Sequence, residues 1–185
     1  MIQAWDFAVL DFIQSRLRCE ALDWLMPKIT LLGEMGLLWI AVAVVLLIVK
    51  SRRLSGAALS VGLIGSLLIG NLLLKNLVAR PRPCWLRPEV VLLIPSPQDF
   101  SFPSGHTLSC FIAATVLLRY DKRLGIPALA IAVAVAFSRL YLYVHFPTDV
   151  LAGILLGIAV GLGAILLTET AARRIGARSA SCSRE

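Results

Sequence analysis

Only two histidines occur in this chain, and each sits in a short polar cluster between long apolar runs. In the first, Ser101-Phe102-Pro103-Ser104-Gly105-His106 precedes an apolar stretch. Pro103 suits a first helical turn, Ser104 offers a hydroxyl, and Gly105 lets an anion approach the free N–H groups of a helix N-terminus, with His106 beside it. Pro-Ser-Gly is also an ordinary turn and helix start. In the second, Ser138-Arg139 leads to His145 and then Asp149. An aspartate four residues after a histidine, at a helix start marked by Pro147, can accept the imidazole N–H and fix which ring nitrogen is free to attack. Arg139 inside an apolar run points to function, because charge in hydrocarbon is expensive. A third cluster holds Lys75 and Arg82, with Pro81 and Pro83 fixing φ on both sides of the arginine. A rigid guanidinium suits phosphate through paired, planar hydrogen bonds, although alone this stretch fits a juxtamembrane basic segment on lipid headgroups equally well. Asn71, one turn before Lys75, shares its helix face and can orient the ammonium. Gathered on one membrane face, these imidazoles and cations need a multiply charged anion for compensation.

The elements that must position them are membrane helices. Of the 185 residues 58% are hydrophobic and 16% charged, and the mean hydropathy is +0.84. Soluble domains carry about 25% charged residues, so an ordinary soluble fold is excluded. The net charge of +7 is spread as punctuation between apolar runs, which indicates topology and not nucleic-acid binding. A span needs about 20 apolar residues. Residues 29–49, 54–74, 104–118, 124–142 and 150–168 qualify, the third being short. In residues 1–18 Ile2, Trp5, Val9, Phe12, Ile13 and Leu17 recur at helical spacing, with Gln3, Asp6, Gln14 and Arg18 opposite. This predicts an amphipathic interfacial helix, the alternative being a sixth span. The fold class expected is therefore all-α, a polytopic bundle of five to six transmembrane helices in a single unit covering residues 1–185.

Lys50, Arg52 and Arg53, then Arg119, Lys122 and Arg123, then the basic tail 173–185 with Arg173, Arg174, Arg178 and Arg184 fall on one side, cytoplasmic by the positive-inside rule. The polar clusters then face outward, where Arg80 and Arg87 run against the rule. Gly62, Ser66 and Gly70 form one stripe of small residues and Gly153, Gly157 and Gly161 another, which lets helix backbones approach closely. Cys19, Cys84, Cys110 and Cys182 form no metal-ligand spacing and read as free thiols, with a Cys19–Cys84 pairing the alternative. Asp6 and Asp11 interrupt any signal-peptide core, so no cleaved leader is expected. Glu34, near Gly33 and Gly36, either lines the path of substrate into the site, bonds a site cation, or simply reaches the interface. Residues 84–100, with Trp85, read as a loop over the site.

In order, Lys75 to Arg82-Pro83, Pro103 to His106, and Ser138-Arg139 to His145 and Asp149 resemble the three motifs of the type 2 phosphatidic acid phosphatase family, relatives of bacterial acid phosphatases and vanadium haloperoxidases. The matching core runs from about residue 54 to 165. The resemblance implies an enzyme, a metal-independent phosphatase without cofactor. In it His145 is the nucleophile, Asp149 its orienting partner and His106 the acid that protonates the leaving oxygen. Lys75, Arg82 and Arg139, with Ser104 and Gly105, would hold the phosphoryl oxygens, which matches what phosphoryl transfer needs. Short bacterial members recycle the cell-wall carrier lipid, so undecaprenyl diphosphate is the substrate expected. The site would face outward in the bacterial cytoplasmic membrane, with Arg80 and Arg87 helping to balance the extra charge. Many such members have Asp in place of Gly105, so phosphatidylglycerophosphate or phosphatidic acid stays open. Membrane lipids are the other partners, no nucleic acid is expected, and the oligomeric state is left open. A lipid-phosphate binding or translocating protein would need the cations but not an oriented His145, and the vanadate-dependent oxidases of this kind are soluble.

Overall fold

The computed structural model describes residues 2–182, with side chains placed for residues 3–175, so Arg178, Cys182 and Arg184 lie outside the described side chains. Among the described residues there are helices and no strands. Helix α1 (Ile2–Phe12) runs on through a π-helical turn, Ile13–Leu17. Then follow α2 (Glu20–Leu31), α3 (Leu37–Ile48) and α4 (Arg53–Gly65), the last continued by a π-helical stretch, Ser66–Leu74, into α5 (Lys75–Val78). A short α6 (Pro83–Leu86) precedes α7 (Gly105–Tyr120), α8 (Lys122–Tyr141) and α9 (Pro147–Cys182).

Four helical stretches are long and apolar enough to cross a membrane: Glu20–Ile48, Lys50–Leu86, Lys122–Tyr141 and Pro147–Ile175. The expected span 29–49 is different in detail. It starts earlier, at Glu20, and breaks between α2 and α3, where Met35 (φ 45) and Gly36 (φ 68) adopt left-handed backbone. Gly36 makes that break inexpensive, since glycine lacks the Cβ that penalises positive φ. The break carries Glu34.

Helix α7 has 16 residues, a rise of about 24 Å, short of the hydrocarbon thickness. It is the buried axis of the bundle, with Leu108, Ile112 and Val116 wholly enclosed. Both small-residue stripes close on it. A Cβ on Gly62 would lie 2.5 Å from Ile112 and one on Gly70 2.4 Å from Leu108. From the opposite side, a Cβ on Gly157 would lie 2.7 Å from Phe111 and one on Gly161 3.0 Å from Thr115. Lipid tails are as apolar as leucine, so this close contact, not the hydrophobic effect, holds the helices together. Outward surfaces are correspondingly apolar, with Leu72, Leu77, Leu155 and Leu166 exposed.

At one end of the bundle the basic connections meet acidic partners: Arg52 pairs with Asp121 at 2.5 Å and Arg119 with Glu169 at 3.1 Å. The loops 79–104 and 142–146 occupy the other end, laced together by Arg82, which donates to the Val144 carbonyl. Helix α1 covers this end, with part of its apolar face outward and Asp6 turned inward. Asp6, Leu10 and Ile13 are buried, whereas Trp5 and Phe12 are 54% and 58% exposed. The reason is electrostatic: Asp6, expected on the polar side, finds Arg80 and Thr148 in the interior. Cys19, Cys84 and Cys110 are free, the first exposed and the other two buried.

Candidate active site

Each expected residue is set by a helix end. Lys75 opens α5, whose last carbonyls are released by the left-handed Ala79. Arg82 follows in the extended backbone between Pro81 and Pro83 and is buried. Ser104 caps α7, placing Gly105 and His106 in its first turn. Arg139 lies in the last turn of α8, and the tight turn through Tyr143 (φ 59) leads to His145 just before α9, whose first turn holds Asp149.

A cavity of about 1250 Å³ opens beside these residues. Its polar end is lined by Glu34, Asn71, Lys75, His106 and Arg139. Its other walls come from α3, through Ile40 and Val44, and from α4 and its π-helical continuation, through Ile64 and Leu67. A chamber that is cationic at one end and aliphatic along the other has the shape of an amphiphile.

His145 is enclosed, and its ring is held from both sides. Arg82 Nη1 lies 3.2 Å from Nε2. On the other side Ser101 Oγ is 3.4 Å from Nδ1 and donates its single proton to Asp149 Oδ2 at 2.5 Å. A guanidinium can only donate, so Nε2 must accept; a hydroxyl whose proton is committed can only accept, so Nδ1 must carry the hydrogen. The two ends agree on one tautomer, with the Nε2 lone pair on the cation side. Asp149 itself is 3.7 Å from Nδ1, beyond hydrogen-bond length, so its hold on the ring runs through Ser101. The direct contact expected from the four-residue spacing is thus replaced by a relay. Burial, then the charges of Arg82 and Arg139, push the His145 pKa well below the usual histidine value, which keeps the imidazole neutral.

The cations are partly engaged. Arg82 Nη2 donates to Asp99 Oδ1 at 2.6 Å, and Lys75 bonds the other oxygen of the same carboxylate. Burial would raise the Asp99 pKa, but the Lys75 hydrogen bond and the Arg82 charge override it and hold the carboxyl well below its ordinary range. Arg139 donates from Nη1 to Thr30 at 2.7 Å, while its buried Nε has no partner among the described residues. His106 Nε2 lies 3.3 Å from Glu34 Oε2, so of the readings for Glu34 the contact is with a site imidazole and not with a cation. Ser104 is buried against Thr107. Asn71 abuts Gly105, where an added Cβ would meet its Oδ1 at 2.9 Å, and Lys75 takes Asp99 as partner in place of the expected amide.

Arg80 and Arg87, expected to supply charge to the substrate, are committed elsewhere. Arg80 bonds Asp6 and Asp149, and Arg87 bonds Asp11 and Tyr143. Sequence reasoning passed over Asp99, Ser101 and Asp6 as site components. The available signals were Asp6 between the apolar Trp5 and Phe7, Ser101 just before the Pro103–His106 motif, and the misfit of Arg80 with the positive-inside rule.

Fold and site together define a polytopic helical membrane protein with a buried imidazole, its Nε2 facing Arg82, next to a chamber lined by Lys75, His106 and Arg139. The chain belongs to the PAP2 superfamily, whose sequence model matches residues 54–173. An undecaprenyl-diphosphatase of Sulfolobus acidocaldarius is 37% identical over 133 residues, a match covering 71% of this chain and 64% of that protein. Among solved structures, the PAP2-type phosphatidylglycerolphosphate phosphatase of Bacillus subtilis superposes with a TM-score of 0.75 at 27% identity, over 91% of this chain and 87% of that one. LpxE of Aquifex aeolicus gives 0.70 at 28% identity, over 86% and 93%.

Proposed function

We propose that this protein is a lipid phosphatase that transfers a phosphoryl group to His145 Nε2 and then to water, with undecaprenyl diphosphate as its substrate. The observation that carries the reading is the locked tautomer of His145, whose Nε2 faces Arg82, with Lys75 and Arg139 lining the adjoining cavity. Binding alone needs the cations but gives no reason to aim an imidazole lone pair. In the first step the bridging P–O bond breaks as the N–P bond forms, and His106, on the cavity wall, gives its proton to the leaving lipid phosphate. In the second, His106 takes a proton from water, which displaces the phosphoryl group from His145. The cations neutralise the phosphoryl oxygens without a metal, since positioning and fixed charge are what this chemistry requires.

The substrate reading rests on the aliphatic walls contributed by α3 and α4, which suit a long tail, and on the name of the Sulfolobus relative. The basic connections at the opposite end of the bundle support an outward-facing site under the positive-inside rule. Phosphatidylglycerophosphate is the second reading, favoured by the structural match to the Bacillus enzyme.

The test is phosphate release by purified protein in detergent from undecaprenyl diphosphate, phosphatidylglycerophosphate and phosphatidic acid, with and without chelator, alongside rapid quench with labelled substrate. Acid-labile, base-stable phosphoprotein that disappears in His145→Ala is expected, with undecaprenyl diphosphate cleaved at least tenfold more efficiently, about 1.4 kcal/mol in transition-state stabilisation. The reverse preference would move the assignment to the glycerophospholipid. Turnover lost in chelator and restored by magnesium would refute the mechanism.

A further inference from the structure

Helix α1 delivers a carboxylate into the interior. Asp6 is fully buried, and it accepts from the Thr148 backbone N–H at 3.0 Å, the Thr148 hydroxyl at 2.7 Å and Arg80 Nη2 at 2.6 Å. The other arm of the same guanidinium, Nη1, reaches Asp149 Oδ1 at 2.5 Å. Arg80 is stacked as well, 4.0 Å above the Phe146 ring, which makes a T-shaped contact with Phe7 of α1 at 5.2 Å between centroids. Its backbone does a second task, because the Arg80 carbonyl accepts from Ser101 N–H at 2.8 Å. One residue therefore holds both members of the relay behind His145, Asp149 through its side chain and Ser101 through its main chain.

We propose that Asp6 and Arg80 are positioning residues for phosphoryl transfer, with α1 fixing Asp149 and Ser101 so that the His145 ring keeps its attacking orientation. This rests on the assignment of His145 as nucleophile. A guanidinium anchored at two carboxylates cannot rotate freely, and Asp149 Oδ2 then has only Ser101 and the Phe146 N–H to serve. Without the Asp6 carboxylate, Arg80 keeps its charge but loses its second anchor. The consequence belongs to the attacking step and not to binding, because Lys75, Arg82 and Arg139 are untouched.

The experiment compares wild type, Asp6→Asn, Ser101→Ala and the double variant, all as full chains in detergent, by steady-state kinetics and by the rate of phosphohistidine formation in a single turnover. Asp6→Asn is expected to lower kcat and the rate of phosphohistidine formation about tenfold with KM changed less than twofold. In the Ser101→Ala background the same substitution should cost less than a further twofold, because the relay is already cut. Losses that multiply in the double variant, or an unchanged kcat in Asp6→Asn, would overturn the proposal. If Asp6→Asn does not fold, Arg80→Lys, which keeps the charge but cannot span two carboxylates, is put through the same cycle with Ser101→Ala and judged by the same criteria. Absence of phosphohistidine in wild type would instead sink the nucleophile assignment, so the two failures are distinguishable.

Discussion

The His145 ring is where residue chemistry and burial meet. Its pKa is lowered, so the neutral, nucleophilic form persists below the ordinary histidine value of about 6.5. Acidification through that value protonates an exposed histidine but leaves His145 neutral, as the proposed nucleophile must be. The single-turnover rate of phosphohistidine formation should therefore hold from pH 7.5 to about 6, and a loss centred near 6.5 would show that His145 is solvated like a free imidazole. The same shift means the unfolded state binds more protons there, so stability should fall as pH drops below about 6.5. Asp99 makes a second case. Its carboxylate sits on Lys75 and Arg82, where phosphoryl oxygens would bind, and so competes with them. Asp99→Asn should tighten inhibition by vanadate several-fold in an inhibition titration. Weaker inhibition would mean that Asp99 serves instead to align the two cations.

Among the elements, α7 depends on what lies against it. Gly157→Val would force a Cβ to 2.7 Å from Phe111 and 2.9 Å from the Leu108 carbonyl, and backbone cannot give way as a flexible side chain can. Overpacking of this kind costs about 1–3 kcal/mol. Nothing lies within 4 Å of a Cβ on Gly163, so Gly163→Val is the matched control, changing stability by about 0.5 kcal/mol or less. Thermal unfolding in detergent compares them, and equal midpoints would remove the close-packing account of the stripe. The stripes could be read from sequence because small residues four apart share a helix face. Their common target could not, since spacing along one helix says nothing about which neighbour fills the groove. The break between α2 and α3 was hidden for a related reason: its residues stay apolar enough to continue a hydropathy plot straight through Gly33 and Gly36.

For the whole molecule, the distribution of basic residues makes a topological statement. Glu89 is exposed in the loop at the site end, opposite the Arg52–Asp121 and Arg119–Glu169 pairs. A cysteine at position 89, in a background without the native cysteines, should react with an impermeant thiol reagent in intact cells. Labelling only after lysis would invert the orientation and place the site inside. Arg80 and Arg87, which run against the rule, are instead structural: they pair with the α1 carboxylates Asp6 and Asp11.

The membrane-helical class and the motif residues were legible in the sequence alone, because hydropathy is a local sum and the Lys75–Arg82, Pro103–His106 and Ser138–Asp149 motifs each lie within a few helical turns. Tertiary structure alone decided the environment of those residues. Asp6 meets Thr148 across 142 positions and Arg80 meets Asp6 across 74, distances over which no periodicity carries information. It also decided that Asp149 acts on His145 through Ser101, since a four-residue spacing brings two side chains to one face without setting the last ångström between their atoms. The amphipathic pattern of α1 could not show that Asp6 turns inward, for the same physical reason: a carboxylate belongs wherever its partners are, and Arg80 and Thr148 lie far along the chain.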